Sequence, residues 1–462
     1  MRITLTFPLT ENSERFGGRS FPPTAIYYLA SILRNKGHSV RVFDPYRWPT
    51  SYNNDFIRGA IDGCDLLGVS ANSFNWRFAK HFIILARAQK QELQIVIGGV
   101  HPTILEKQKI AEPHWNYIVR GEGEKTMVEL VDSIEKQKSL ELVLGLTHFD
   151  KSGRIHINPD RPLLKPHELE EQPSPAFDLL PDKKYLTLNI ESSRGCKFNC
   201  AFCSIPYRHN FRGITLKPFI HRLNETVKTG KTKINLLRNK KVPVLLLDDC
   251  FTTDKQRAVS ILKELSTFKE QMSFGIQARA DQLSDDIGKA LSENDMFLVQ
   301  IGLECGYQTG LSKINKGLRI EDSEKACAIL KNYGLAEASS CAFIIGFPWE
   351  TKDHCFRTLR FARHLALKYG LNINANWYEM LPGSTLWTKR KEYNQIIDFD
   401  IFDNFHYDFR NIDSFRKVHP LLSPQDIDEI EDFITELVEI TPKFLPNFPF
   451  IQRERNINSA PL

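Results

Sequence analysis

The stretch ESSRGCKFNCAFCSIPYR, residues 191–208, carries three cysteines, Cys196, Cys200 and Cys203, separated by three residues and then two. Thiolates hold zinc ions or iron–sulfur clusters. Four thiolates saturate a four-iron cluster and leave an electron carrier; three leave one iron open to a small molecule. A structural zinc ion takes four ligands, so zinc here needs a distant partner such as His209. Buried free thiols are the remaining alternative. Gly195 lets the chain turn sharply before the first cysteine. The chain has nine cysteines; an odd count with three clustered points to metal or cluster binding and away from a disulfide framework.

The elements that must position this loop follow from the apolar pattern. At 462 residues the chain exceeds one ordinary core, so two or three domains are expected. The composition is that of a soluble protein, 42% hydrophobic and 25% charged. The net charge of +5 is small for the length and argues against a dedicated nucleic-acid binder. MRITLTFPLT lacks the apolar core of a signal peptide, and no run of about 18 apolar residues occurs. A cytoplasmic protein with no membrane and no nucleic-acid partner is expected. Over residues 1–150, short apolar runs alternate with helical segments: RITLTF, SVRVFD, DLLGVSA (65–71), QIVIGG (94–99) and NYIVRG (116–121). This predicts an α/β, doubly wound parallel sheet covered on both faces, with ligands at the carboxyl ends of its strands.

Residues 151–184, rich in proline, read as a linker packed on the surface. A second series follows over 185–390: YLTLNIES (185–192), VPVLLLDD (242–249), SFGIQAR (273–279), FLVQIGLE (297–304), ASSCAFIIGF (338–347) and LNINANWYE (371–379). Six such units predict a partial (β/α)6 barrel of the TIM type, with function at the C-terminal strand ends. The cysteines follow its first strand. The basic run KTGKTKINLLRNKK (228–241) reads as a solvated surface insertion. Residues 391–462 read as a helical tail against the barrel, with Ser423 as N-cap and Pro424 at the first helical position.

The cysteine spacing, with the aromatic Phe202 before the last cysteine, resembles the radical S-adenosylmethionine (SAM) superfamily over roughly residues 185–385. The resemblance implies that Cys196, Cys200 and Cys203 ligate a [4Fe–4S] cluster whose open iron binds SAM, which an electron then cleaves to a 5′-deoxyadenosyl radical. It places Phe202, Gln277, Arg279, Glu304, Ile344 and Gly346 as SAM contacts. They come from QARAD (277–281), IGLECG (301–306) and FIIGFPWET (343–351). Arg279 suits the SAM carboxylate, and NWYEMLPGSTLW (376–387) matches a further segment of the family. ECGYQT departs from the family's ESGS, with Cys305 and Tyr307 in place of serines. Tyr207, Tyr307, Trp349, Trp377 and Tyr378 are candidates for a substrate pocket. Cys250, Cys305 and Cys341 are expected as small core residues.

The sheet domain ahead of the barrel resembles that of the cobalamin-binding class, on FPPTAIYYLASILRNKGHSVRVFD (21–44), IVIGGVHPT (95–103) and IVRGEGEKTMVEL (118–130). That resemblance makes residues 1–150 a Rossmann-like cobalamin-binding domain with Ser70, Ala71, Gly98, Gly99, Gly121 and Glu122 at the cofactor. The Asp-x-His-x-x-Gly motif is absent: FDPYRWPTS has Asp44 but no histidine two residues on, so no histidine ligand to cobalt is expected from it. The N-terminal domain has only Cys64, which excludes methylthiotransferases, and no cysteine follows Cys355, which excludes a C-terminal auxiliary cluster. The class implies a C-methyltransferase acting on an unactivated carbon of a small molecule or peptide, with a flavodoxin or ferredoxin as electron donor. Alternatives are a cobalamin-dependent cyclase, oxidase or rearrangement enzyme, or a non-catalytic iron–sulfur or cobalamin-binding protein.

Overall fold

Two parallel sheets stand in sequence in the computed structural model, which describes residues 1–8, 21–44, 54–105, 112, 114–150, 152–394, 402 and 419–441. The first contains β1 (Arg2–Thr6), β2 (Ser39–Phe43), β3 (Leu66–Ser70), β4 (Gln94–Gly98) and β5 (Tyr117–Val119), parallel and in the order β2-β1-β3-β4-β5. Right-handed crossovers running both ways from β1 put helices on both faces. The inner strands β3 and β4 are accordingly largely apolar and buried, whereas the edge strand β2 exposes Ser39 and Arg41. The strand order reverses between β1 and β3, which stay parallel, and ligands of such sheets bind at this switch point.

The sheet does not stop at β5. β6 (Leu146–Phe149) and β7 (Ile155–Ile157) extend it antiparallel, so residues 155–157 belong to the sheet and not to the linker expected over 151–184. A three-residue strand on an open edge buries little apolar surface and leaves no periodic signal.

The second sheet begins with β8 (Leu188–Ile190). The cysteine loop follows, pinched at its neck by the two-residue pair β9 (Ser193–Arg194) and β10 (Arg212–Gly213). Then come β11 (Val242–Leu246), β12 (Met272–Arg279), β13 (Met296–Glu304), β14 (Ser339–Ile345) and β15 (Asn372–Trp377). The order β8-β11-β12-β13-β14-β15 is parallel and sequential, a partial (β/α)6 barrel. Leu237, Leu245, Phe297 and Leu298 form a small separate cluster against Phe21 and Leu186. Leu237 and Ile234 are buried, so the basic run 228–241 is not a purely solvated insertion. Its apolar positions anchor it while Lys233 and Lys241 pair with Asp182 and Asp295.

The proline-rich segment is strapped down by Leu164, Leu169 and Phe177, all buried. In the tail, the helix Pro424–Ile440 starts at Ser423, whose hydroxyl accepts the Asp426 N–H. It packs on the barrel helix Lys352–Tyr369 through Phe433 on Phe356 and Lys352 with Glu429, 2.6 Å. The other residues of the helical tail expected over 391–462 lie largely outside the described residues. Among the described residues no helix is long and apolar enough to cross a membrane.

Asp44 ties the two domains together. Its carboxylate accepts hydrogen bonds from Tyr27 of the first domain, 2.6 Å, and Tyr185 at the start of the second, 2.7 Å, all buried. Asp44→Ala leaves two buried hydroxyls without this acceptor. At about 0.5–1.5 kcal/mol for each buried hydrogen bond lost, chemical denaturation should register a loss of about 1–3 kcal/mol, whereas Asp44→Asn, which keeps an acceptor oxygen, should lose less.

Candidate active site

The cysteine loop is closed on itself before anything binds it. The His209 N–H donates to the Cys196 carbonyl at 2.7 Å, and Ile214 N–H to Ser192 O at 2.9 Å. Gly195 has φ +79°, and a Cβ there would collide with the Asn210 carbonyl; only glycine fits this turn. Both acids of LLLDD, just past β11, grip the loop. Asp248, fully buried, accepts from Ser192 N–H (2.6 Å) and the hydroxyls of Ser192 (2.6 Å) and Ser193 (2.5 Å). Asp249 accepts the Gly195 N–H at 2.8 Å. Burial, with Asp248 and Glu191 nearby, pushes the Asp249 carboxyl up to about 6. From the far side, the turn 314–316 clasps the loop: Ala201 N–H donates to Ile314 O, 2.8 Å, and the Asn315 amide to Asn199 O, 2.8 Å.

The sulfurs are differently placed. Cys200 is buried, while Cys196 and Cys203 are half-buried. Burial pushes the Cys196 thiol up to about 11, helped by neighbouring Cys250. Such thiols give up their protons to a metal and not to water at neutral pH. Three thiols on one closed loop, with the His209 side chain exposed, supply the donor types of a three-cysteine cluster; among the described residues no three such side chains are already gathered at metal-binding spacing.

The side chains expected around SAM fall into two groups. Gln277 is exposed on β12, and Ile344 is half-buried on β14, beside the Gly346 turn. On β12, Gln277 shares a face with Arg279 by the two-residue period. Phe202 packs near Phe347, ring centroids 6.2 Å apart. Arg279 and Glu304, expected as free polar arms, are both engaged by protein. Arg279 donates to the Cys200 sulfur at 3.3 Å, to Asp281 at 3.1 Å and to the Lys316 carbonyl. Glu304, at φ +67° after a bulge in β13, pairs with the buried ammonium of Lys316 at 2.7 Å. Lys316 has no strand-end position to signal it and was missed.

A cavity of about 580 Å³ opens between the domains. One wall is the first sheet at its β1/β3 switch point, with Ser70, Gly98, Gly99, Gly121 and Glu122; the other is Ser204–Tyr207, directly after Cys203, with Leu247 and Asp249. Gly121 (φ +76°) has open space where a Cβ would stand, which lets a flat ligand lie against backbone. Tyr28 lines the cavity, and its buried hydroxyl has no hydrogen-bond partner among the described residues. Ala71 departs from expectation. It is 1% exposed, and its backbone lies where a Gly99 Cβ would point, so it supports the cavity floor without lining it. Nothing at a strand end in sequence tells which residue faces the ligand.

Glu122 also has a different task. It accepts from Arg212 (2.9 Å), Arg194 (3.2 Å) and the Leu164 N–H (2.6 Å). Arg194 further pairs with Glu124 (2.7 Å) and Glu191 (2.7 Å). Burial pushes the Glu122 carboxyl up, but the two arginines outweigh it and hold it below the usual range. The GEGE motif of the first domain therefore holds the residue two before Cys196.

Comparison with known proteins agrees with this geometry. The B12 binding domain family matches residues 18–131 and the Radical SAM superfamily matches residues 190–362. An uncharacterized methyltransferase of Pyrococcus horikoshii is 31% identical over 84% of this chain and 82% of its own. The chain belongs to the cobalamin-binding class of the radical SAM superfamily. Anaerobic magnesium-protoporphyrin IX monomethyl ester cyclase of Rubrivivax gelatinosus is 24% identical, covering 98% of this chain and 79% of its own. In fold, the chain matches the cobalamin-dependent S-adenosylmethionine radical enzyme OxsB, solved with aqua-cobalamin and S-adenosylmethionine bound: TM-score 0.70, 19% identity, 93% of this chain and 66% of that one. It also matches the radical S-adenosylmethionine methyltransferase TsrM of Kitasatospora setae, solved with cobalamin and a [4Fe–4S] cluster: TM-score 0.66, 17% identity, 85% and 78%.

This radical SAM enzyme uses a [4Fe–4S] cluster, SAM and cobalamin. Its departures from the family pattern have structural reasons. Tyr307 donates to Glu350 at 2.7 Å, and Glu350 accepts the N–H groups of Gly346 and Phe347, so the ECGYQT and FPWE segments lock each other. Of the aromatic residues expected around a substrate, Tyr207 lines the cavity. Trp349 and Tyr378 stack on Phe347, and Trp377 donates to Glu431. Cys250, Cys305 and Cys341 are buried, as small core residues would be. Gly195→Ala should abolish reconstitution, with iron near zero per chain and the far-ultraviolet circular dichroism unchanged. Retention of about four irons would show that the turn is dispensable.

Proposed function

We propose that this enzyme is a C-methyltransferase acting on an unactivated carbon. The observation that carries the reading is the shared cavity, whose two walls are the glycine-rich strand ends of the first domain and the chain leaving Cys203. Cys196, Cys200 and Cys203 hold the cluster. Gln277, Ile344, Gly346 and Phe202 face SAM. Ser70, Gly98, Gly99, Gly121 and Glu122 bear the corrin face, while Ala71 supports it from behind. Bound there, the cluster and SAM supply a 5′-deoxyadenosyl radical, and cobalamin supplies the methyl group. The protein's part is positioning and exclusion: Leu5, Ile26, Val96, Ile205 and Leu247 keep the cavity wall apolar, which shields a carbon radical from water. A small-molecule or peptide substrate enters this cavity, and a one-electron donor such as flavodoxin or ferredoxin reduces the cluster.

A second reading, cobalamin-dependent radical chemistry without methyl transfer, is favoured by the relative named as a cyclase, which matches over nearly the whole chain. The two differ in product. With SAM, cobalamin and a strong reductant, methylation yields both 5′-deoxyadenosine and cobalamin-dependent S-adenosylhomocysteine, with one methylene added to the substrate. 5′-Deoxyadenosine without S-adenosylhomocysteine would select the second reading, and intact cluster without SAM cleavage would remove both.

A further inference from the structure

Arg279 is a charged side chain that reaches a cysteine sulfur of the loop. It is 5% exposed at the C-terminal end of β12. Its guanidinium lies 3.7 Å from the centroid of the Phe198 ring, inside the loop. One N–H points at the Cys200 sulfur, 3.3 Å away. The remaining donors go to Asp281 and to the carbonyl of Lys316, in the turn that clasps the loop. Three anchors and a ring thus fix the fork, and its charge is only part-neutralised, by Asp281 at 3.1 Å. Lysine could not reproduce this: a point charge on a flexible stem has no planar face to stack and no divergent donors.

We propose that Arg279 sets the reduction potential of the cluster through its hydrogen bond to the Cys200 sulfur, and is not primarily a contact for the SAM carboxylate. The physical reason is charge. One-electron reduction by the external donor places one more negative charge on the cluster and its thiolates. A cationic N–H donor on one sulfur stabilises that reduced state more than the oxidised one, so it raises the potential. The acids on the neighbouring strand ends are themselves matched by cations, Asp248 by Arg257 at 3.8 Å and Glu191 by Arg194 at 2.7 Å. This inference rests on the assignment of Cys200 as a cluster ligand.

The test is an electron paramagnetic resonance-monitored redox titration of the reconstituted protein, its Arg279→Gln variant and its Arg279→Lys variant, with iron counted in each and SAM affinity measured on the same samples. A protein that takes up no iron in the native form would fail the ligand assignment itself. With cluster present, Arg279→Gln should lower the ratio of reduced to oxidised cluster at fixed potential at least threefold, about 28 mV at ~59 mV per tenfold change. Arg279→Lys should fall between it and the native protein. An unmoved potential with SAM affinity weakened would overturn the proposal and make Arg279 a SAM contact. If only the lysine variant keeps its iron, its potential decides alone. Loss of iron in both variants would also overturn it, leaving Arg279 a structural brace.

Discussion

Arg194 is the point at which the two halves of the molecule meet. It sits between Glu122 and Glu124 of the sheet domain and Glu191 of its own strand end, 14% exposed, one residue before Gly195 and two before Cys196. Removing one partner from such a buried set costs about 3–5 kcal/mol, because the charges left behind are desolvated. Docking of the first domain therefore helps to seat the cysteine loop, which Asp248, Asp249 and the turn 314–316 of the barrel also hold. The cavity exists because this docking is held at a fixed separation, by the arginine set on one side and Asp44 with its two tyrosines on another. Under the proposed function, cofactors carried by different domains meet at this cavity, which Ser204–Tyr207 line directly after Cys203.

Within the barrel, the loop is held from every side by a different element. The end of β11 contributes two carboxylates, β12 the Arg279 fork, and the turn 314–316 the Ile314 carbonyl and the Asn315 side-chain amide. The left-handed Glu304 belongs to this frame. A non-glycine residue at φ +67° is costly, of order 1–3 kcal/mol, and it is stabilised by a buried ion pair with Lys316. Strain of this kind persists where the surrounding structure over-determines it.

Much of this was legible in the residues. The cysteine spacing announced the loop, and six apolar runs announced the barrel strands, because buried parallel strands have no polar face to interrupt them. The glycine pair after β4 marked the cavity wall. What stayed hidden depended on distant partners. Arg279 and Glu304 look like free functional groups at strand ends, and only the fold shows Cys200 and Lys316 beside them. Ala71 has the right position and the wrong orientation. The GEGE motif suggested cofactor contact for Glu122, while the folded chain shows that its partners are Arg194 and Arg212. β7 was missed because a three-residue edge strand buries too little to leave a pattern, and β6 because two of its four residues, Thr147 and His148, are polar although buried.

The central claim is that cluster and cobalamin occupy one cavity between the domains. Both are paramagnetic in suitable states, the cluster when reduced by one electron and cobalamin as cob(II)alamin. Electron paramagnetic resonance of the protein loaded with both tests the claim most directly. The account predicts spectra broadened or split by mutual spin coupling, absent when either is omitted. Two unperturbed signals that simply add, at full occupancy of both, would contradict it.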